Sequence, residues 1–316
     1  ALAAGRKEAG KLDILDVLIT PSTFAATLRM AIPLLLVSLG GLLTKQAGIE
    51  NIGLEGLMLV GCFSGFTINY YTSSWMMGLM GAMVCTILCA LLFGVFVISL
   101  RAHEIVAGVA LNVLGTGLTT YLLRAIFGVK GSFTDPRVMS IPEVRLEFLK
   151  EVPWLYDIVS GQSILLYISI IILILLQYML YSTCFGYYIR ASGENERALA
   201  SAGVSVARVR YITLLLHGAL CGLGGAFLST GYLTQYVEKM SAGRGYIAMA
   251  AIAFGMAMPQ RVLVSVLLFV FVQSLSNRMQ ICGYPSYFTD MIPYFITVVV
   301  LAATSYRSGK KRGQLA

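Results

Sequence analysis

The chain has 316 residues, 58% of them hydrophobic and only 12% charged, about half the charged share of a soluble domain. Its mean hydropathy is +0.80. These values exclude a disordered chain, argue against a water-soluble enzyme, and favour one polytopic membrane domain over two soluble ones.

Taken in chain order, residues 1–27 come first as a mixed N-terminal segment with Arg6, Lys7, Lys11, Asp13 and Asp16. No clean apolar stretch with a small-residue cleavage site follows the charges, so it does not read as a signal peptide. Leu12, Leu15 and Ile19 suggest a short amphipathic helix on the membrane surface. The charges then become sparse. There is no Asp, Glu, Lys or Arg in the 45 residues Gly56–Leu100, the 32 residues Ile158–Ile189 or the 27 residues Tyr211–Val237. A spanning helix needs about 20 apolar residues. Backbone groups in lipid must pair within their own segment, so these runs predict helices. Alternating ten-residue segments are absent, against a barrel.

The predicted spans are 28–44, 54–71, 75–100, 105–127, 161–182, 211–231, 245–258, 261–279 and 286–304. The membrane domain is thus 28–304, an all-α polytopic unit of about nine transmembrane helices, with eight or ten allowed. The stretch 128–160 holds nine of the 38 charges and three prolines, and predicts an ordered extracytoplasmic loop. The stretch 183–210 predicts a cytoplasmic loop, and 305–316 a basic cytoplasmic tail. With the tail inside, Arg101, Arg190–Arg210 and Arg261 fall on the inner side. The N-terminus then lies outside, against the trend for Arg6, Lys7 and Lys11. A tenth span through 12–27 would remove that conflict, but Asp13, Asp16 and Pro21 interrupt it. The net charge of +8 therefore reads as inner membrane anchors and not as a nucleic-acid face.

A weak internal repeat is present. Gly40-Gly41 and then Gly53-Leu54-Glu55-Gly56 match Gly224-Gly225 and then Gly245-Tyr246-Ile247-Ala248. In each copy a helix meets a polar, Gly-rich break and a short helix follows. Four spans, one connecting span and four more would make an inverted repeat, a transporter signature.

Chemical motifs are few. Six cysteines form no C-x-x-C pair and read as apolar packing residues. Two histidines, His103 and His217, give no H-E-x-x-H zinc site, and neither G-x-S-x-G nor a P-loop occurs. No catalytic or metal-ligating residues are predicted. Two polar segments remain. Gln46–Gly56 places three glycines, Glu50, Asn51 and Glu55 between apolar helices. It reads either as a solvated turn or as a helix break facing a cavity. Asn51 and Glu55 share a face if helical. Arg190–Gly203 reads as a short helix with Ser192 or Gly193 as cap, Glu194 and Glu196 at its positive end and Gly203 at its close. Its ridge of Ala198, Leu199 and Ala202 fits either a membrane surface or a partner's groove.

The runs N-I-G-L-E-G-L-M-L from Asn51, G-E-N-E-R-A-L-A-S-A-G from Gly193 and S-A-G-R-G-Y-I-A from Ser241 occur in order. Together they resemble the permease subunits of bacterial ABC importers in the branched-chain amino acid and ribose permease superfamily, nearest to the nucleoside branch. The resemblance spans roughly 28–304. It implies a type II ABC importer-like fold and a multi-pass location in the bacterial cytoplasmic membrane. It also implies ATP-driven import of nucleosides, with simple sugars or branched-chain amino acids as alternatives. No cofactor is expected on this chain, ATP and Mg residing on a partner ATPase. A second permease subunit, an extracytoplasmic substrate-binding lipoprotein and membrane lipid complete the expected partners, without nucleic acid. Arg190, Gly193, Glu194, Asn195, Glu196, Arg197, Ala198, Ala202 and Gly203 correspond to the family's ATPase-coupling loop.

Polar residues in apolar spans are costly and should face a cavity or a partner. The substrate-path candidates are therefore Asn51, Glu55, Asn112, Thr116, Tyr246 and Gln273, with interhelical hydrogen bonds as the alternative use. Glu55 and Glu104 are expected near the inner rim and Arg244 near the outer one. Tyr70, Tyr71 and Tyr246 suit stacking on a base or an interfacial aromatic belt. A channel lacks support because no T-V-G-Y-G filter occurs. An intramembrane enzyme lacks support because no nucleophile and base are suitably spaced.

Overall fold

The computed structural model describes residues 20–145, 153–281, 285 and 291. The N-terminal segment up to residue 19, residues 146–152 of the long loop, the expected ninth span but for residue 291, and the basic tail lie outside the described residues.

The chain is mostly helical. The helices are α1 (Pro21–Gln46), α2 (Leu54–Thr72), α3 (Trp75–Gly94), α4 (Glu104–Phe127), α5 (Pro153–Val159), α6 (Ile164–Ser182), α7 (Cys184–Glu194), α8 (Glu196–Ser201), α9 (Val206–Phe227), α10 (Arg244–Phe254) and α11 (Pro259–Ile281). Wider π turns extend α3 through Val95–Ser99 and α9 through Leu228–Tyr232. Four two-residue strands complete it: β1 (Ser132–Phe133), β2 (Glu143–Val144), β3 (Gln162–Ser163) and β4 (Tyr236–Val237).

Among the described residues, six helices are long and apolar enough to cross a membrane: α1, α3, α4, α6, α9 and α11. Three expectations shift. The first span starts at Pro21 and not at residue 28. Proline presets the helical φ at a first turn, and the Thr20 hydroxyl lies 2.9 Å from that of Thr23. The second span is a 19-residue helix outside those six, because Glu55, Asn69 and several hydroxyls dilute its apolarity. Its burial on nearly every side makes lipid compatibility unnecessary. The seventh expected span is only the 11-residue α10, too short to cross alone. Its apolar run continues past Phe254, but Met256 and Ala257 adopt positive φ and stop the helix before Pro259.

The chain divides into two compact units. The first comprises Ala1–Met30, Val144–Gln162 and Leu267–Ala316. Within its described part, Phe24 packs on Phe271 at 5.8 Å and on Trp154 at 6.1 Å between ring centroids. Ser274 Oγ donates to the Thr23 carbonyl, and Arg278 Nη2 to Ser22 Oγ at 2.8 Å.

The second unit comprises Ala31–Glu143 and Ser163–Val266. At its centre α9 packs against α2 and α3, while α2 also meets α3, α4 and α10. The approach is close enough to require small residues. A Cβ on Gly225 of α9 would lie 2.4 Å from the Met58 carbonyl of α2. Large apolar side chains on α3, α4 and α6 point outward, among them Met80, Val84, Leu88, Val106, Val109, Val113, Ile171 and Ile174. Such faces suit lipid or a partner subunit, not water.

Candidate functional site

Helix α1 ends at Gln46 because Gly48 takes φ +75 and the Ile49 amide turns back to the Thr44 carbonyl. After seven intervening residues α2 starts at Leu54, and its first amides need acceptors. Asn51, only 6% exposed, folds its Oδ1 onto the Gly53 amide at 2.8 Å. Its Nδ2 sits 2.8 Å from Nε2 of the fully buried His217 on α9. Asn112 on α4 supplies the next acceptor: its Oδ1 takes the Gly56 amide at 2.7 Å. Its Nδ2 donates to the Ile52 carbonyl at 3.0 Å and to the Tyr246 hydroxyl at 3.3 Å. Thr116 turns its hydroxyl back to the Asn112 carbonyl.

The second break lies between α9 and α10. The chain leaves the π turn, forms β4, and enters α10 through Gly243 at φ +79. The exposed start of α10 is covered by one residue of α2. Glu55 Oε1 accepts from Ser241 Oγ at 2.5 Å and from the Gly243 amide at 2.9 Å, and Oε2 accepts from the Gly245 amide at 2.7 Å. Gly245 must be glycine for this, since a Cβ there would sit 2.5 Å from the Glu55 backbone. Glu55 also lies in the first turn of α2, so its carboxylate stands at the positive ends of two helices.

This arrangement corrects one expectation. Glu55 and the start of α10 do not occupy opposite rims; the orphan amides of α10 bring the carboxylate to them. Arg244 does not pair with Glu55 and donates instead to the Met240 and Ser241 carbonyls. Asn51, Glu55, Asn112, Thr116 and Tyr246 thus belong to one hydrogen-bonded neighbourhood in the second unit. Gln273 lies in the first unit. A cavity of about 160 Å³ opens between the first break and α10, lined by Gly41, Lys45, Glu50, Asn51, Met249 and Ile252 among others. Lys45 and Glu50 form an ion pair there, and the Glu50 amide donates to Glu104 at 2.5 Å.

Within 183–210 the expected short helix is present as two, α7 and α8, with the start of α9 following. Thr183 caps α7, and Asn195, not Ser192 or Gly193, caps α8 by accepting from the Ala198 amide at 3.1 Å. Ser192 is buried inside α7, and its one hydroxyl proton is shared between the Ile189 carbonyl at 2.8 Å and the Ala47 carbonyl at 3.2 Å, so it is already used. Gly203 takes φ +79 just past α8, as expected. The expected ridge splits: Leu199 is buried, while Ala198 and Ala202 are exposed with Glu194, Glu196 and Arg197. Arg190 turns away from that surface and lies between the Tyr181 and Tyr187 rings, 4.9 and 4.7 Å from their centroids.

Tyr70 is no free stacking platform. Phe127 and Phe133 pack on it at 5.3 and 5.7 Å, and Arg137 lies 5.6 Å above its ring. Residues missed by the sequence reading are Gln46, His217 and Arg210. Gln46 Nε2 donates to the Ala257 carbonyl at 2.7 Å and joins the end of α1 to the end of α10. A lone histidine inside a charge-free run was the available signal for His217, because such a group needs a partner.

Apolar helices able to cross a bilayer, interrupted at two internally satisfied breaks, have the build of a translocating membrane subunit. The chain matches a family described as the branched-chain amino acid transport system permease component over residues 23–301, and it belongs to that family. It is 33% identical over 288 residues to the guanosine ABC transporter permease protein NupQ of Bacillus subtilis, covering 87% of this chain and 89% of that protein. It is 34% identical to the nucleoside ABC transporter permease protein NupC of Lactococcus lactis, covering 85% and 88%. It is also 33% identical to TsgC13 of Haloferax volcanii, whose name proposes a glucose ABC transporter permease, covering 81% and 77%. An ABC transporter solved in an inward-facing conformation shares the fold, with a TM-score of 0.51 and 16% identity over 89% of this chain and 85% of that one. The chain is therefore a multi-pass inner-membrane permease that moves a solute rather than transforming it. Its family implies an ATPase and a substrate-binding protein as partners.

Proposed function

We propose that the chain is one half of the translocation pathway of an ATP-driven importer whose solute is a nucleoside. The observation that carries the substrate class is the similarity to NupQ and NupC over nearly the whole of each protein. A neutral, polar solute also suits a neighbourhood of amides and hydroxyls around Asn51, Asn112, Thr116 and Tyr246 better than fixed free charges. Simple sugars are the second reading, favoured by the similarity to TsgC13.

In this reading a lipoprotein delivers the solute on the side of residues 128–160, and a second permease completes the pore. A cytoplasmic ATPase engages Arg190–Gly203, with ATP and Mg bound there and no cofactor on this chain. The exposed face of Glu194, Arg197, Ala198 and Ala202 is where the ATPase docks. An inverted repeat is supported by the two breaks: each follows a Gly-pair helix and each leads into a buried or short helix. The substrate path follows Asn51, Glu55, Asn112, Thr116 and Tyr246.

The test is uptake by vesicles holding the full transporter, with labelled guanosine competed by uridine, ribose and leucine. Competition by uridine alone supports the nucleoside reading. Competition by ribose, with uridine without effect, replaces it with the sugar reading.

A further inference from the structure

The first break is fastened to the segment that the proposed ATPase would push. Arg210, on the second turn of α9, reaches three groups at once. Its Nε donates to the Ala47 carbonyl at 3.3 Å, and its Nη2 donates to the Ser192 carbonyl at 3.3 Å. The same Nη2 lies 3.1 Å from Glu196 Oε2 in the first turn of α8. Ser192 Oγ, which also donates to the Ile189 carbonyl at 2.8 Å, converges on the same Ala47 carbonyl at 3.2 Å. Steric contact reinforces these bonds. A Cβ on Gly193 would lie 2.3 Å from the Gln46 carbonyl, so α7 and the end of α1 touch backbone to backbone. The break continues directly into Asn51, which meets His217, and into the wall of the 160 Å³ cavity.

We infer that Arg210 is the positioning residue of a clasp that makes α7, α8 and the break Ala47–Gly53 move as one body. A push on α8 then reaches the cavity through the Ala47 carbonyl and not only along α9. A planar guanidinium suits this role because its donors are fixed in one fork. A lysine ammonium could keep Glu196 but not both carbonyls. The inference rests on the importer reading for the source of the push.

The experiment uses the complete transporter in vesicles, with wild type, Arg210→Lys, Ser192→Ala and the double variant, each also carrying Met249→Cys in the cavity wall. Three quantities are read together: ATP hydrolysis, guanosine uptake, and thiol labelling of residue 249 with and without ATP, followed on its own peptide. In Arg210→Lys we expect the ATPase rate to hold while uptake per ATP falls about tenfold, the scale of coupling within one bonded network. The ATP-dependent change in labelling should vanish with it. Ser192→Ala should weaken coupling alone but add little to Arg210→Lys, because the two share one acceptor. Unchanged uptake per ATP and unchanged labelling in Arg210→Lys overturn the clasp. Loss of ATPase and of assembly in Arg210→Lys also overturns it, leaving Arg210 a folding residue. If wild type takes up no guanosine yet its ATP-dependent labelling is lost in Arg210→Lys, the clasp stands and the nucleoside reading falls.

Discussion

The two interruptions in the second unit meet the same need with different chemistry. At the first, the start of α2 is served by neutral groups: Asn51 covers the Gly53 amide and Asn112 the Gly56 amide. At the second, the start of α10 is served by one carboxylate, Glu55, which takes three donors. The neutral set is spread over several elements and tied to α7 and α9 by Ser192, Arg210 and His217. The ionic set is concentrated in one side chain. A distributed cap tolerates the loss of a member, whereas a single residue serving three donors does not.

That contrast orders the expected damage. Glu55→Leu leaves three donors without their acceptor, each costing about 1–3 kcal/mol. We expect the largest loss of thermal stability in detergent and loss of uptake, with Glu55→Gln intermediate. A Glu55→Leu protein as stable as wild type would remove the contrast. Asn112→Leu strands one amide and one carbonyl, so a smaller loss of about 2 kcal/mol is expected. Uptake should fall while the ATPase still co-purifies; normal uptake kinetics would leave Asn112 as packing only. Gly193→Ala drives a methyl into the Gln46 carbonyl and should cost about 1–3 kcal/mol, read as a lowered melting temperature. Ala198→Trp and Ala202→Trp touch neither break, so stability should stay within about 0.5 kcal/mol. Uptake per ATP should nonetheless drop, and unchanged uptake would sink the coupling role of this face.

What the sequence displayed, and what it hid, follows from the physics of each segment. The start of α2 was legible because Gly53 ends a polar stretch and an apolar run begins at Leu54. The end of α10 was not, because an apolar run up to Met258 carries no mark of the two αL residues that stop it. The first helix is expected short because Pro21, like Asp13 and Asp16, reads as an interruption, whereas it is the residue that starts the helix. Within apolar helices every side is hydrophobic, so period gives no inward face. That is why Asn112 and Tyr246 stand out as polar residues while their joining, with Gly56 and Ile52, does not. The misassigned cap of α8 has the same origin. Ser192 is a good capping residue in isolation, but it is bound to a carbonyl far away in sequence. Arg210 was visible only as an end-of-span charge, a position where most arginines simply meet the interface.

The hold of Glu55 on α10 has a mechanical consequence. The carboxylate is retained by amides and a hydroxyl rather than by a counter-cation, and the field of a helix end fades within a single turn. Such a fastening is brittle to displacement yet largely indifferent to ionic strength, since the partners are part-buried and carry no mobile charge to screen. A slide of α10 by a fraction of a turn would release all three donors together. The junction therefore has the character of a snap fit, firm in one position and free in the next.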